Sequence, residues 1–344
     1  MLRDCLRYLS TRSDLKVTAL VHNRQLCEYP GIDYIEIPDC AGNWFRRLRC
    51  EYITMWRISN QMPMVALWLS LHDTTPRVRA SRQAVYCHNS FPFMKSCLRD
   101  WQMDFKIPLF SLFTRFIYHF RARKNAYMVV QQEWFRRGLS RMTGMPRERI
   151  IVAPPAFRPV EVPTLAQDAV PMFLYPATAD CHKNFETLCE AARLLEKEFG
   201  TGRFKVCITV SGNENCYARY LKRRWGDVSS IDFHGIMSRE ELAQAYARAA
   251  CLVFPSRTET WGLPVSEFLP TGKPMLLAEL PYARETAAGA LCTAFFPVRD
   301  ARCLAGLMQD IVEGRMDGFA PVPMVDHSEP YAPDWASLFE ILLA

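Results

Sequence analysis

The stretch CLVFPSRTETWGLPVSEFLPTGKPMLLAEL, residues 251–280, indicates how this chain folds. It opens and closes with the apolar runs CLVF and MLLA, which are typical of strands buried on both faces. Between them a helix begins near Pro264, because proline lacks the N–H group that the first helical position leaves unsatisfied. A strand, a helix and a second apolar strand in succession predict a parallel sheet that helices cover.

The same alternation continues through the second half of the chain. Apolar runs at residues 171–177, 204–212 and 230–235 are each followed by a helical pattern. In NFETLCEAARLLEKEF, residues 184–199, apolar side chains recur in steps of three and four, which marks one buried helical face.

The first half is less regular, with candidate strands at residues 15–22, 34–38, 65–72, 83–88, 126–132 and 149–155. Pro154, Pro155, Pro159 and Pro163 follow, and prolines at this density cannot continue a helix or a central strand. The sequence therefore predicts an N-terminal domain over 1–155, a linker over 156–169, a C-terminal domain over 170–330, and a helix over 331–344 that can pack back across the domain junction. The predicted fold class is α/β, with two doubly wound Rossmann-like domains facing a cleft.

Charge divides the chain near the same place. Residues 1–160 carry 25 Lys and Arg against 12 Asp and Glu, whereas residues 161–344 carry 17 against 24. The basic half can face nucleic acid, an anionic membrane surface or a phosphorylated ligand, or it is simply a solvated surface.

The thirteen cysteines lie mostly within apolar stretches, and no two have the C-x-x-C spacing of a metal site. They are expected to be reduced core residues. The opening MLRDCLRYLS lacks the apolar core of a signal peptide, and no apolar run reaches the roughly 18 residues of a membrane span. The sequence predicts a soluble cytoplasmic protein whose basic half can lie at the inner face of the membrane.

Glu259 and Glu267 lie eight positions apart around Gly262. Glu259 falls on the loop above the helix and Glu267 in its first turn, so both carboxylates can reach one cleft and accept hydrogen bonds from sugar or ribose hydroxyls. Gly262 lets the backbone approach a ligand, and the helix start favours an anion. Charge compensation at the helix start is the alternative explanation for Glu267. The sequence contains no G-x-G-x-x-G, Walker, H-E-x-x-H or G-x-S-x-G motif.

The pattern from Phe-Pro-Ser through Glu259, Gly-Leu-Pro and Glu267 to Gly-Lys-Pro resembles the donor-site signature of the GT-B fold retaining glycosyltransferases of glycosyltransferase family 4. Other segments are similar to that family too, namely HKNFETL (182–188), TVSGNEN (209–215), IDFHGIMSREEL (231–242), VYCHN (85–89) and VVQQEWFRRGL (129–139). The resemblance implies a nucleotide-sugar donor in the second domain and an acceptor in the first.

The resemblance also implies roles for single residues. Glu267 would bind the ribose and Glu259 the transferred sugar, while the backbone around Gly262, Leu263 and Pro264 would face the donor, although Pro264 has no N–H group to offer.

Lys183 matches the family's diphosphate lysine, where a cation stabilises charge on the departing nucleoside diphosphate. An ordinary exposed lysine at a helix start is the alternative. The family's usual arginine is replaced by the Pro-Ala-Thr run at 176–178, so phosphate binding is either weaker or completed by Arg257 or the basic half.

His88 matches a histidine that reaches over the donor sugar from the first domain, with a packed core histidine as the alternative. Ser211 and Gly212 match a loop near the nucleotide. No Asp-x-Asp motif accompanies these segments, so we expect no metal and no cofactor besides the nucleotide-sugar co-substrate. We expect no nucleic-acid partner.

The chain departs from the family at its start. The family opens with a strand and a glycine-rich turn leading into a helix, whereas residues 2–15 already have the character of that helix. Without the first strand, the first sheet would lack a central strand and keep unpaired backbone groups. Either the natural start lies upstream of Met1, or the chain is a divergent or inactive relative.

Residues 105–124, FKIPLFSLFTRFIYHFRARK, combine aromatic and basic side chains. Their apolar positions follow helical spacing and predict a core-facing stripe, with a membrane-surface helix as the alternative. These positions are Phe105, Leu109, Leu112, Phe113, Phe116 and Phe120.

Together these features predict a retaining, hexosyltransferase-like glycosyltransferase of polysaccharide biosynthesis. It would move a sugar from a nucleoside diphosphate to a saccharide or lipid-linked saccharide. A non-catalytic glycosyltransferase-like subunit is the first alternative, and the missing strand supports it. A nucleotide-sugar epimerase or a phosphorylase of similar architecture is the second, although no pyridoxal lysine site can be identified.

Overall fold

The computed structural model describes residues 1–41, 44–103, 105–157, 160–163 and 170–344. The chain divides into two compact units. Unit 1 contains Met1–Asn89, Phe113–Ala156 and His327–Ala344, and unit 2 contains Ser90–Leu112 and Phe157–Asp326. Ser90–Leu112 thus groups with unit 2, although it lies within the predicted N-terminal domain. Most of the predicted linker, residues 156–169, falls outside the described residues.

The described residues of unit 1 form six strands in two parallel sheets. They are β1 (Val17–Val21), β2 (Ile32–Glu36), β3 (Val65–Ser70), β4 (Ala80–Tyr86), β5 (Tyr127–Val130) and β6 (Ile150–Val152). β1 pairs with β2, and the other four strands form a separate sheet in the order β3-β4-β5-β6. Each strand overlaps an apolar run that the sequence identified.

Unit 2 contains one parallel sheet of six strands. They are β7 (Met172–Tyr175), β8 (Lys205–Ile208), β9 (Ile231–Phe233), β10 (Cys251–Phe254), β11 (Met275–Ala278) and β12 (Thr293–Phe296), in the order β12-β11-β10-β7-β8-β9. All residues of β10 and β11 are buried, as expected of parallel strands covered on both faces. The sequence did not identify β12.

Thirteen α-helices accompany these strands in the described part of the chain. They are α1 (Leu2–Leu9), α2 (Trp44–Arg49), α3 (Met55–Gln61), α4 (Leu98–Met103), α5 (Lys106–His119), α6 (Glu133–Thr143), α7 (Phe185–Phe199), α8 (Cys216–Trp225), α9 (Arg239–Arg248), α10 (Leu263–Phe268), α11 (Pro281–Thr286), α12 (Ala301–Val312) and α13 (Trp335–Leu343). None of the described helices is both long and apolar enough to cross a bilayer.

Local sequence explains where the longer helices of unit 2 begin and end. The apolar face of α7 buries Phe185, Leu188 and Leu195, and the helix ends at Gly200, whose φ of +77° suits glycine. Helix α9 begins with a capping box, in which Glu241 N–H donates to Ser238 Oγ at 3.1 Å and Ser238 N–H donates to the Glu241 carboxylate at 2.7 Å.

The segment that closes the chain packs into unit 1. Ala332 N–H donates to the Val152 carbonyl at 2.8 Å, beside β6. Leu338 and Leu342 of α13 are buried with Val129 of β5 in one apolar cluster. The helix predicted over 331–344 is therefore part of the core of unit 1.

The apolar stripe of α5 is exposed, so the prediction of a core-facing stripe is wrong. Helical spacing identifies a shared face, but it does not show what covers that face. The exposed fractions are 59% for Phe105, 39% for Leu109, 65% for Leu112, 52% for Phe113, 65% for Phe116 and 43% for Phe120.

Cys40 and Cys50 form a disulfide, with Cα atoms 5.8 Å apart. The prediction that all the cysteines are reduced is therefore wrong for this pair. The two residues are ten positions apart, Cys40 before α2 and Cys50 directly after it. No C-x-x-C spacing marks such a pair in the sequence.

Candidate functional site

Lys183 and Glu259 form an ion pair at the carboxyl end of the unit 2 sheet. The Lys183 ammonium donates to Glu259 Oε1 at 2.6 Å, and the two side chains are 17% and 15% exposed. Lys183 lies on a turn after β7 and Glu259 on the loop after β10, and β7 and β10 are neighbouring strands. Ligands of open α/β sheets bind beyond the carboxyl ends of the strands. The structure thus brings together two of the predicted site residues.

Neighbouring hydroxyl groups hold this pair in place. Ser256 Oγ donates to Glu259 Oε1 at 2.7 Å. The buried Tyr175 hydroxyl donates to the Lys183 carbonyl at 2.8 Å, and the buried Tyr282 hydroxyl donates to the Ser256 carbonyl at 2.6 Å. Burial, with the Glu259 charge nearby, raises the pKa of both tyrosines well above its ordinary value. Both hydroxyls therefore remain protonated donors.

Gly262, Leu263 and Pro264 form the turn into α10. Gly262 has a φ of +97°, which favours glycine, and a Cβ atom there would lie 3.4 Å from the Phe254 ring. The turn therefore packs directly on the last residue of β10. The Leu263 side chain is 45% exposed, so it is available to a ligand. Contact of these three residues with a donor stays a prediction.

Glu267 has a different partner from Glu259. Its Oε2 accepts a hydrogen bond from the Tyr246 hydroxyl at 2.8 Å. Tyr246 belongs to α9, and Lys273 donates to the Ala247 and Ala249 carbonyls at 2.6 and 2.9 Å at the end of that helix. Lys273 belongs to the Gly-Lys-Pro part of the motif. It thus contacts α9, the helix that carries Tyr246, the partner of Glu267.

Ser211 and Gly212 form a loop after β8 whose amides already have an acceptor. Their N–H groups donate to the two Glu214 carboxylate oxygens at 2.6 and 3.0 Å. Although partial burial opposes the charge, these hydrogen bonds hold the pKa of Glu214 below its ordinary value. The loop therefore carries an anion of its own, and its predicted contact with a nucleotide stays a prediction.

Arg257 forms a buried bidentate ion pair with Asp100. Its two terminal nitrogens lie 2.6 and 3.0 Å from the carboxylate oxygens, with the side chains 8% and 3% exposed. Asp100 raises the pKa of the guanidinium despite burial, which favours the neutral form. Both residues belong to unit 2, where Asp100 lies on α4. A role for Arg257 in phosphate binding stays a prediction.

His88 follows β4 and belongs to unit 1, whereas Lys183 and Glu259 belong to unit 2. His88 Nε2 lies 3.5 Å from Asp73 Oδ2, and the His88 N–H donates to Asp73 Oδ1 at 2.7 Å. The side chain is 37% exposed, unlike that of a packed core histidine. Its predicted approach to a donor sugar stays a prediction.

In the described residues, one group of three side chains could hold a metal ion: Cys207, Asp232 and His234, whose ligand atoms lie within 4.8 Å of one another. This group contains none of the predicted site residues. The expectation of a metal-free reaction stays a prediction.

Several partners in the site were missed by sequence reasoning. Tyr246, Asp100 and Glu214 contact Glu267, Arg257 and the Ser211 loop, respectively. Tyr246 and Asp100 are 21 and 157 positions from their partners, and no local spacing indicates such contacts. Glu214 lies inside the TVSGNEN segment, two and three residues after Gly212 and Ser211. A carboxylate at that distance can accept hydrogen bonds from the amides of the turn, so the sequence did contain a signal for this contact.

Residues 162–318 match the family described as "Glycosyl transferases group 1". This match includes Lys183, Glu259 and Glu267, and it ends within unit 2. No curated protein matches the chain.

Solved structures show the same fold at low sequence identity. TarM aligns at 14% identity over 69% of this chain and 44% of its own, with a TM-score of 0.53. The chain thus spans less than half of the length of TarM. Sucrose-phosphate synthase from Thermosynechococcus elongatus aligns at 16% identity over 91% and 82%, with a TM-score of 0.59. WaaG, a glycosyltransferase involved in lipopolysaccharide biosynthesis, aligns at 13% identity over 90% and 86%, with a TM-score of 0.60. The predicted fold class is therefore confirmed: this is an α/β chain with Rossmann-like parallel sheets and the GT-B fold.

Proposed function

We propose that this chain is a retaining glycosyltransferase that moves a sugar from a nucleoside diphosphate to a saccharide or lipid-linked saccharide. The observation that carries the proposal is the Lys183 and Glu259 ion pair at the carboxyl ends of β7 and β10. It lies within the segment that matches group 1 glycosyl transferases. The GT-B fold agrees with this activity, although a fold by itself does not determine a function.

In the proposed reaction Lys183 contacts the diphosphate. The bond between the anomeric carbon and the phosphate oxygen breaks, and the acceptor oxygen bonds to the same face of that carbon. The acceptor proton passes to the departing phosphate. A fixed ammonium stabilises the negative charge that develops on this leaving group. Lys183 is suited to that task because Glu259 and the Tyr175 hydrogen bond hold its position.

Two carboxylates are proposed to bind the donor. Glu259 accepts a hydrogen bond from a hydroxyl of the transferred sugar, and Glu267 accepts one or two from the ribose. Tyr246 orients Glu267 through its 2.8 Å hydrogen bond and leaves the other carboxylate oxygen for the ligand. This division of roles follows the resemblance, and the separate partners of Glu259 and Glu267 agree with it.

The first test is donor binding. Thermal unfolding of the purified chain is measured with UDP, GDP, ADP, CMP and dTDP sugars, one at a time. Ligand at about 100 times its dissociation constant stabilises by roughly 2.7 kcal/mol, so one donor class should raise the unfolding temperature by several degrees. Glu267→Gln should lose the shift. Glu279→Gln, which changes an exposed carboxylate paired with Arg284 in the same unit, should keep it. A panel without any shift would contradict donor binding.

The second test is turnover, measured as release of nucleoside diphosphate from the stabilising donor in the presence of saccharide acceptors. Lys183→Met should lower the rate about 100-fold or more, the usual effect of removing one group that stabilises transition-state charge. Lys205→Met is the control, because Lys205 is exposed at the start of β8. Equal rates for the two variants would show that Lys183 does not take part in the reaction.

A membrane-bound acceptor is proposed on the basis of α5. This helix exposes Leu112 and Phe116, at 65% each, within the half of the chain that carries the excess of Lys and Arg. Exposed aromatic and basic side chains together favour an anionic lipid surface. We expect the chain to sediment with phosphatidylglycerol vesicles but not with phosphatidylcholine vesicles. Phe116→Ser should weaken this binding, whereas Met324→Ser, at another exposed apolar residue, should not. Equal loss in both variants would contradict the role of α5.

A non-catalytic subunit is the second candidate, because the strands of unit 1 form two separate sheets. Such a protein would bind a donor without transferring the sugar. A thermal shift that depends on Glu267, combined with no turnover above the Lys183→Met rate, would favour this candidate.

A further inference from the structure

Three side chains that can bind a metal ion lie together at one edge of the unit 2 sheet. They are Cys207 of β8, Asp232 of β9 and His234, which directly follows β9, and their ligand atoms lie within 4.8 Å of one another. Cys207 is buried, whereas the side chains of Asp232 and His234 are 59% and 43% exposed. The cluster therefore combines a buried thiol with two ligands that a solvated ion can reach.

The pairing of β8 with β9 explains why these side chains meet. The two strands are parallel, and Cys207 is the register partner of Asp232. The His234 N–H donates to the Ile208 carbonyl at 3.1 Å, which extends the ladder by one residue. Because side chains alternate along a strand, Asp232 and His234 point to the same face, and the register places Cys207 beside them. The backbone ladder thus positions all three ligands.

The other face of β9 packs against α8. Phe233 lies between Asp232 and His234 in the chain, and the Lys222 ammonium of α8 is 4.3 Å from the centre of its ring. The three ligands therefore lie on the face of the sheet that is opposite α8, so that helix does not obstruct access to them.

The spacing of the ligands fits a tetrahedral zinc ion. Zinc lies about 2.3 Å from thiolate sulfur and about 2.0–2.2 Å from imidazole nitrogen or carboxylate oxygen, so neighbouring ligand atoms are about 3.3–3.6 Å apart. Asp232 Oδ2 and His234 Nδ1 are already 3.6 Å apart. Rotation of these two exposed side chains brings them to the same distance from the Cys207 sulfur.

The chemistry of the three ligands also favours zinc. Mg²⁺ and Ca²⁺ prefer sites made of oxygen ligands, whereas thiolate and imidazole suit Zn²⁺. A thiolate and a carboxylate carry two negative charges and the imidazole is neutral, so the set balances one divalent cation. Three protein ligands leave a fourth tetrahedral position for water.

We propose that Cys207, Asp232 and His234 bind one zinc ion, with a water molecule as the fourth ligand. The ion links the edge strand β9 to β8. β9 has three residues and, among the described strands, pairs with β8 alone. A Cβ atom at Gly235, the residue after His234, would lie 3.4 Å from the Ser211 Cβ, so the link also holds the turn after β9 against the loop after β8. None of the three ligands is a residue of the proposed sugar transfer.

Cobalt titration tests the thiolate ligand directly. The purified chain is stripped of metal with a chelator, kept reduced, and titrated with Co²⁺. A thiolate-to-cobalt charge-transfer band should appear with one ion per chain, and Zn²⁺ should remove it. Cys207→Ser should abolish the band. Cys216→Ser, which changes an exposed free cysteine of the same unit, should leave it unchanged.

Zinc affinity, measured by calorimetry, tests the other two ligands. Asp232→Ala and His234→Ala should each weaken binding about 100-fold or more, because loss of an outer partner of a zinc ligand already costs about 10–100-fold. Both side chains are exposed, so these variants should fold. Asp227→Ala, at an exposed carboxylate between α8 and β9, is the control and should keep the affinity. Mg²⁺ should not bind.

Amide hydrogen exchange tests the link between the strands. Zinc at about 100 times its dissociation constant should slow exchange in β9 about 100-fold, because opening of the strand has to release the ion. β12, at the other edge of the same sheet, is the internal reference and should not change. Cys207→Ser should remove the effect of zinc on β9.

Four outcomes overturn the proposal. A cobalt band that survives Cys207→Ser shows that another thiol binds the ion. Equal zinc affinity in Asp232→Ala, His234→Ala and Asp227→Ala shows that the first two side chains are not ligands. Binding of Mg²⁺ with the affinity of Zn²⁺ shows attraction to an acidic surface. Equal slowing of β9 and β12 shows a general effect on the sheet. These measurements use no nucleotide sugar, so their result is independent of the proposed function.

Discussion

Within the residues that the structure describes, the two units contain six strands each, yet the strands form one continuous sheet in unit 2 and two separate sheets in unit 1. In unit 2 the six strands pair edge to edge, and Leu252 and Leu276 in its centre are fully buried. In unit 1 the strands form sheets of two and four, and Leu67 and Leu69 of β3 are only partly buried. The runs VALWLS and CLVF are similarly apolar. The comparison teaches that an apolar strand becomes core only when its edges as well as its faces are covered.

Amide exchange should show the largest difference between the two sheets. β10 is paired on both edges, so its amides should exchange only by global unfolding. In the described residues β1 pairs with β2 alone and β3 with β4 alone, so amides on the unpaired edge of each strand need only local opening. With a global stability of about 5 kcal/mol or more, exchange rates should differ by roughly 10³-fold or more. Mass spectrometry of peptic fragments measures this directly. Equal protection of β1, β3 and β10 from exchange would contradict this difference between the two units.

Truncating one leucine in each sheet should give the next largest difference. Leu252→Ala removes a fully buried side chain of β10 and should cost about 2–5 kcal/mol. Leu69→Ala removes a partly buried side chain that already borders a cavity, so about 1–2 kcal/mol is expected. Equilibrium urea unfolding, with the m value compared between variants, measures both. Equal losses would show that β3 is packed as tightly as β10.

Two glycines should give the smallest difference. Gly262 in unit 2 has a φ of +97° and would place a Cβ against the Phe254 ring, whereas Gly31 in unit 1 has a φ of +74° and open space around it. Gly31→Ala should cost about 1 kcal/mol through its backbone conformation alone. Gly262→Ala should cost about 1–2 kcal/mol, because its φ lies further from the left-handed minimum. Thermal unfolding of the two variants tests the order, and a larger loss for Gly31→Ala would reverse it.

Much of the fold could be predicted from the sequence because parallel strands have apolar runs and covering helices have periodic faces. The residue runs 65–72 and 251–256 identified β3 and β10, and the periodicity of 184–199 identified α7. β12, Thr293–Phe296, was missed although β10 and β11 have the same four-residue length, because its run TAFF contains none of the Val, Ile and Leu residues that mark buried parallel strands. The α5 stripe had the right period, but a period cannot show whether another element covers that face.

The site could be predicted only in part, for a related reason. Glu259 and Lys183 were identified as site residues by resemblance. Their contact could not be predicted, because they are 76 positions apart and no local pattern links them. The Arg257 pairing with Asp100 depends on a segment, Ser90–Leu112, that groups with unit 2 although strands of unit 1 precede it. Contacts between distant segments depend on the topology of the fold, which local sequence patterns do not show.

The closing segment of unit 1 affects the order in which the chain can mature during synthesis. His327–Ala344 packs into unit 1, and all of unit 2 precedes it along the chain. The ribosome therefore releases every residue of unit 2 before it releases the last part of the unit 1 core. Domains generally fold as units, with the N-terminal one first. Unit 1 is therefore completed after unit 2, so a nascent chain carries an unfinished unit 1 core until α13 emerges.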